Sequence, residues 1–212
     1  LGDVYKRQAQ DSTVVSKLDD TPLVELLLDN ASTTPIDQIL DGVTGDDNAK
    51  AEIIDANLIS EIIRKMPMNQ TYYGKMSELL KRLIGERRLG ALSYAEYLRQ
   101  VTELARRIHS PEETENYPDQ IRDSQAKRAL YDFAQEQRDF EGLDIEDVAL
   151  QVHLAIVDSV EVGWLANRAK QQRIKNAIAQ TLEDYELLEP RIDQLVEEIY
   201  ELATRQEEYF DD

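Results

Sequence analysis

The chain has 212 residues, enough for one domain or two small ones, with 24 Lys+Arg against 43 Asp+Glu and a formal charge of −19. So acidic a chain is repelled by phosphate as a whole and cannot serve as a broadly basic nucleic-acid coat. Without cysteine it has no thiolate metal site, disulfide, Fe–S cluster or cysteine nucleophile, and no apolar run approaches the roughly 18 residues of a membrane span.

Residues 1–8 are set aside as a cloning or sequencing scar, because Asp3 to Gln8 is what one reading frame of a sequencing-library transposon end encodes. Residues 9–48 read as short helices and loops. Thr21-Pro22 and Thr34-Pro35 each place a capping hydroxyl before a proline suited to a first helical position. After a loop at Gly42 to Asp47, the apolar face of Ile54, Leu58, Ile59, Ile62 and Ile63 predicts a helix ending near Met66-Pro67. The clearest helix follows. Tyr72, Tyr73, Met76, Leu79, Leu80 and Leu83 form its stripe, Lys75, Lys81, Arg82, Arg87 and Arg88 lie off it, and Gly90 stops it.

Ser93-Tyr94-Ala95-Glu96 is a capping box, and the helix it opens carries Tyr97, Leu98, Val101, Leu104 and Ile108. The short turn at Gly90 makes these two helices an antiparallel hairpin. His109 to Pro118 reads as a polar surface loop. Further helices are predicted from Asp123 or Ser124, from Asp144, after an interruption at Gly163-Trp164, and from near Pro190. Alternating strand patterns are missing. The expected fold is all-α, a multi-helix bundle of about seven to nine helices with the antiparallel hairpin at its centre, and 49–212 form one C-terminal helical domain. Tyr72, Tyr73, Leu79, Tyr94, Tyr97 and Leu98 are expected to be core of the hairpin, and Trp164 is expected in the core as well.

Charge is segregated. Residues 1–74, 75–108, 109–163, 164–182 and 183–212 carry −7, +4, −10, +4 and −10. Basic stretches of this kind commonly pair with neighbouring acidic helices or are solvated. The sharper reading makes Arg168, Lys170, Arg173 and Lys175 a contact surface for a partner or a DNA backbone. Arg168 and Lys175, seven apart, share a helix face, and reversing both charges is expected to leave folding intact while weakening assembly.

Catalytic, cofactor-binding and metal-binding residues are not assigned. The chain contains no phosphate-cradling Gly-x-x-x-x-Gly-Lys-Ser/Thr or Gly-x-Gly-x-x-Gly, and no Glu-x-x-His of a di-metal helical bundle. His109 is read as a cap and His153 as a boundary residue.

The run Tyr72-Tyr73-Gly74-Lys75-Met76-Ser77-Glu78-Leu79-Leu80, with Gly90 to Leu98 and Leu104-Ala105, resembles the C-terminal helical region of the restriction (R) subunit of type I restriction-modification enzymes. Asp123 to Asp132 resembles that family's following helix. Gly163-Trp164, Asn167 and Ile174 to Ile178 resemble its tryptophan-containing segment, and Glu208-Tyr209 its closing stretch. The resemblance covers roughly residues 50–210, in the family's order. It implies a cytoplasmic helical assembly domain, non-catalytic alone, that docks on the methyltransferase and specificity subunits. ATP, Mg, the motor domains and the nuclease would belong to upstream parts of that subunit, and DNA would be met through the complex. Two other readings stay open: a stand-alone helical protein-interaction scaffold, and an acidic DNA mimic, against which the basic helices argue.

Overall fold

The computed structural model describes residues 46–187 and 191–210. The Thr21-Pro22 and Thr34-Pro35 start signals, residues 1–8 and Pro190 lie outside them. All regular structure among the described residues is helical, as the periodicity predicts. There are nine α-helices: α1 (Asp47–Lys65), α2 (Gln70–Arg88), α3 (Tyr94–His109), α4 (Pro111–Thr114), α5 (Asp119–Arg122), α6 (Gln125–Glu136), α7 (Ile145–Ser159), α8 (Arg168–Glu183) and α9 (Arg191–Ala203). Two 3-10 turns, Arg138–Phe140 and Trp164–Ala166, lie between helices, and a third, Glu207–Tyr209, follows α9.

Within the span 49–212 the chain resolves into two compact units. Among the described residues, one combines 46–64 with Lys75–Thr114, and the other combines Lys65–Gly74 with 115–187 and 191–210.

In the first unit α1 buries Ala51, Ile54, Leu58 and Ile62 at steps of three and four, each of the three larger side chains contributing about 1.5–3 kcal/mol over an exposed one. Asp55 lies on this stripe and is buried with it. Its carboxylate accepts hydrogen bonds from Arg87 Nη2 and from the Tyr97 hydroxyl, each at 2.7 Å. The Arg87 guanidinium stands 5.2 Å from the centre of the Tyr97 ring. Burial, reinforced by the Asp55 hydrogen bond, pushes the Tyr97 phenol far above its ordinary range, which keeps it a donor.

The Arg87–Tyr97 contact sets the end of α2 against the first turn of α3. Between them Gly90, at φ 69°, closes a Schellman motif: Gly90 N–H donates to Arg87 O and Ala91 N–H to Glu86 O, both at 2.9 Å. The Ser93 hydroxyl accepts from Glu96 N–H. The reciprocal half of the expected capping box does not form, because Arg99 and Gln100 engage the Glu96 carboxylate.

The second unit has its own core, in which α6, α7, α8 and α9 contribute Leu130, Val152, Ile178 and Leu195 around Trp164 and Phe140. Three of its helices, α6, α7 and α8, start at side-chain caps: Ser124 accepts from Lys127 N–H, Asp144 from Glu146 N–H, and Asn167 from Ala169 N–H. Gly163 adopts φ 72° to open the Trp164 turn.

Several expectations need adjustment. The polar segment His109 to Pro118 is not a plain loop, because it contains α4, buries Pro111 and sends Tyr117 into the second core. Tyr97, Leu98 and Trp164 are buried as expected, while Leu79 and Tyr94 are only half-buried. Tyr72 and Tyr73 are buried but belong to the second unit rather than to the hairpin. The hairpin, α2 from Lys75 together with α3, lies within the first unit, so the second core forms without it.

Replacing Asp55 with Ala strands a guanidinium that is 7 % exposed, and is expected to cost about 3–5 kcal/mol. Tyr97→Phe, which removes the hydroxyl's hydrogen bonds to the Asp55 carboxylate and to Ala51 O, should cost about 1.5–3 kcal/mol. Urea unfolding of the two variants checks the difference.

Candidate functional site

The basic helix singled out in the sequence is α8. Asn167 caps it, and Ile174, Ile178 and Leu182 turn its apolar face into the core. That anchoring fixes where the four cations point, and they do not form one open positive surface. Lys170 Nζ donates to Val162 O at 2.7 Å and reaches Glu161 at 3.3 Å. Arg173 also pairs with Glu161. Lys175 pairs with Glu197 of α9 and lies 4.5 Å from the centre of the Tyr200 ring. Arg168 alone is exposed with no hydrogen-bond or ion-pair partner among the described residues. Three of the four cations are therefore engaged by two carboxylates of their own unit, Glu161 and Glu197.

Lys175 is consequently a packing residue as well as a charge. Its replacement by Glu would set two carboxylates against each other at Glu197, so the expectation that folding is untouched holds for Arg168 and not for Lys175.

Tyr209 is held from two sides. Trp164 Nε1 donates to Tyr209 O at 3.0 Å, and the Tyr209 hydroxyl pairs with His153 Nδ1 at 2.8 Å. The two rings lie 5.5 Å apart. Burial lowers the His153 pKa below its ordinary value of 6.5, against the opposing pull of Glu208 and Asp123. His109 is the last residue of α3 and is exposed. Among the described residues, no group of three or more His, Asp or Glu side chains is placed to hold a metal ion, and no helix is long and apolar enough to cross a membrane.

Sequence reasoning missed the buried polar centres. Asp55 left a readable trace, since it falls on the Ala51, Leu58, Ile62 stripe where a lone acid calls for a buried partner. Gln206, fully buried with its amide donating to Met68 O at 2.7 Å, left none. In comparisons with protein-family descriptions, curated proteins and solved structures, nothing matches this chain.

Two expectations follow. Arg168→Glu should change stability by less than about 0.5 kcal/mol, whereas Lys175→Glu should lower it by about 1 kcal/mol, read from urea midpoints. Because the folded pKa of His153 lies below the unfolded one, the unfolded chain takes up the proton first as the pH drops from 6.5. Stability therefore falls with pH through that window and levels off below the folded value. In His153→Phe, the loss of unfolding midpoint between about pH 7.5 and about pH 5.5 should be smaller than in the parent chain.

Proposed function

We propose that this chain is the C-terminal helical assembly domain of a type I restriction endonuclease R subunit, non-catalytic by itself, which docks on the methyltransferase–specificity core in the cytoplasm. ATP-dependent translocation and DNA cleavage are assigned to motor and nuclease domains upstream, where ATP and Mg would bind. DNA is met through the complex.

The observation that carries this reading is the ordered set of four segments resembling that family. Each segment coincides with a helix or its boundary. Tyr72 to Leu80 lies in α2, and Gly90 to Leu98 runs from the Schellman turn into α3. Asp123 to Asp132 covers the Ser124 cap and most of α6, and Gly163 to Ile178 covers the tryptophan turn and α8. Residues in the last two are tied to the closing Glu208-Tyr209 stretch: Ser124 hydrogen-bonds Glu208, and Trp164 donates to Tyr209. The DNA-mimic alternative needs an uninterrupted row of carboxylates, and the neutralisation of Glu161 and Glu197 by α8 works against it.

The test is a pull-down, with light scattering, of the full chain against the methyltransferase–specificity complex encoded beside it. Formation of a defined complex is the expected result. A helical, monodisperse chain that ignores that complex would overturn the docking role.

A further inference from the structure

Lys81 and Arg88 on α2 differ from the cations of α8. Both are exposed, and neither has a hydrogen-bond or ion-pair partner among the described residues. They are seven residues apart, so they lie within about 20° of one another around the helix. Their neighbours in the unit are occupied: Arg64 pairs with Glu61, Arg87 with Asp55, Arg99 with Glu96, and Arg106 with Glu103. Arg82, beside Lys81, stands 4.0 Å from Glu86. The dipole at the C-terminus of α2 accounts for a basic residue in the last turn, such as Arg88, but its influence does not extend back to Lys81.

On the same face, between the two cations, is Gly85. A glycine inside a helix costs about 1 kcal/mol relative to alanine, and a methyl group added at Gly85 would meet nothing within 4 Å. Packing among the described residues therefore does not explain it, while a surface approaching α2 closely from outside would use it.

We propose that the Lys81–Gly85–Arg88 face of α2 is a docking surface for an acidic protein segment. Charge complementarity selects the occupant. Two or three cations on a chain of −19 give too few phosphate contacts to hold a duplex, whose binding scales with the number of phosphates neutralised. A short run of carboxylates needs only those few cations and brings far less charge against the acidic remainder of the chain. The proposal rests on the docking reading only for the natural partner's identity, and its chemistry is testable without that partner.

The probe is a fluorescent poly-glutamate peptide, titrated at low salt by anisotropy into the full chain, into Lys81→Glu/Arg88→Glu and into Arg168→Glu. A duplex DNA of similar length runs in parallel. The expected result is salt-sensitive peptide binding that is about tenfold weaker in the Lys81/Arg88 variant and unchanged in Arg168→Glu, with the duplex bound more weakly than the peptide. Circular dichroism confirms that the variants are folded, and Lys81→Ala/Arg88→Ala serves as the milder pair should charge reversal unfold the chain. Equal peptide binding by parent and variant overturns the proposal. So does stronger binding of the duplex, which would make the face a nucleic-acid contact, or no peptide binding at all, as when acidic residues of the chain itself cover the face. The same variants taken into the methyltransferase–specificity pull-down separate the two readings: a parent chain that binds the peptide but not that complex removes the restriction assignment and leaves the acidic docking face.

Discussion

The second unit depends on the carboxylate of Asp132. Buried on α6, it accepts from Asn69 Nδ2 at 2.6 Å and from the Tyr117 hydroxyl at 2.7 Å, gathering residues 63 and 15 positions away in sequence. Asn69 is engaged at its other end as well: its Oδ1 accepts from Tyr72 N–H at 3.0 Å and so closes the first turn of α2. Without an acceptor at position 132, a buried amide and a buried phenol would be left unpaired, each at about 1–3 kcal/mol. The connector Lys65–Gly74 belongs to the second unit partly on this account. Gln206 adds a second tie by donating to Met68 O.

The first unit uses the same device with charges. Apolar stripes supply most of the stabilisation, but they specify rotation and register loosely, since one leucine packs about as well as the next. A buried carboxylate accepts only one arrangement of donors. Asp55 thereby selects the turn of α1 that meets Arg87 and Tyr97. The arrangement is not fully satisfied, for Arg87 Nε is buried without a hydrogen-bond partner, so the pair contributes specificity more than net stability.

Local signals were legible in the sequence because their physics is local. The Ser93 and Ser124 caps, the Gly90 stop and the Gly163-Trp164 break involve partners within five residues, and each appears where the residue types place it. Features decided by distant contacts were not legible. Among 43 acidic residues, little marks Asp132 as buried, because Tyr117 and Asn69 reach it from other segments. Tyr72 reads as hairpin core from its stripe, yet its hydroxyl donates to Glu115, 43 residues away. The short α4 escaped because four residues cannot show a helical period.

The candidate surface shows the same limit in its charge. The segments 75–108 and 164–182 have the same net charge, +4, and a reading by segment treats them as equivalent. Net charge counts side chains, whereas a partner meets only those whose fields are not already cancelled. Along α8 the carboxylates that cancel them, Glu161 and Glu197, come from outside the segment and so never enter its sum. Along α2 and α3 the opposite holds: Glu86, Glu96 and Glu103 are counted against the segment but engaged with Arg82, Arg99 and Arg106. Lys81 and Arg88 keep no ion-pair partner among the described residues, with Glu78 one turn before Lys81 the remaining acid. Among the described residues the exposed cations of these two segments without an ion-pair partner are thus Lys81 and Arg88 on α2 and only Arg168 on α8, although 164–182 is the segment without a single acidic residue.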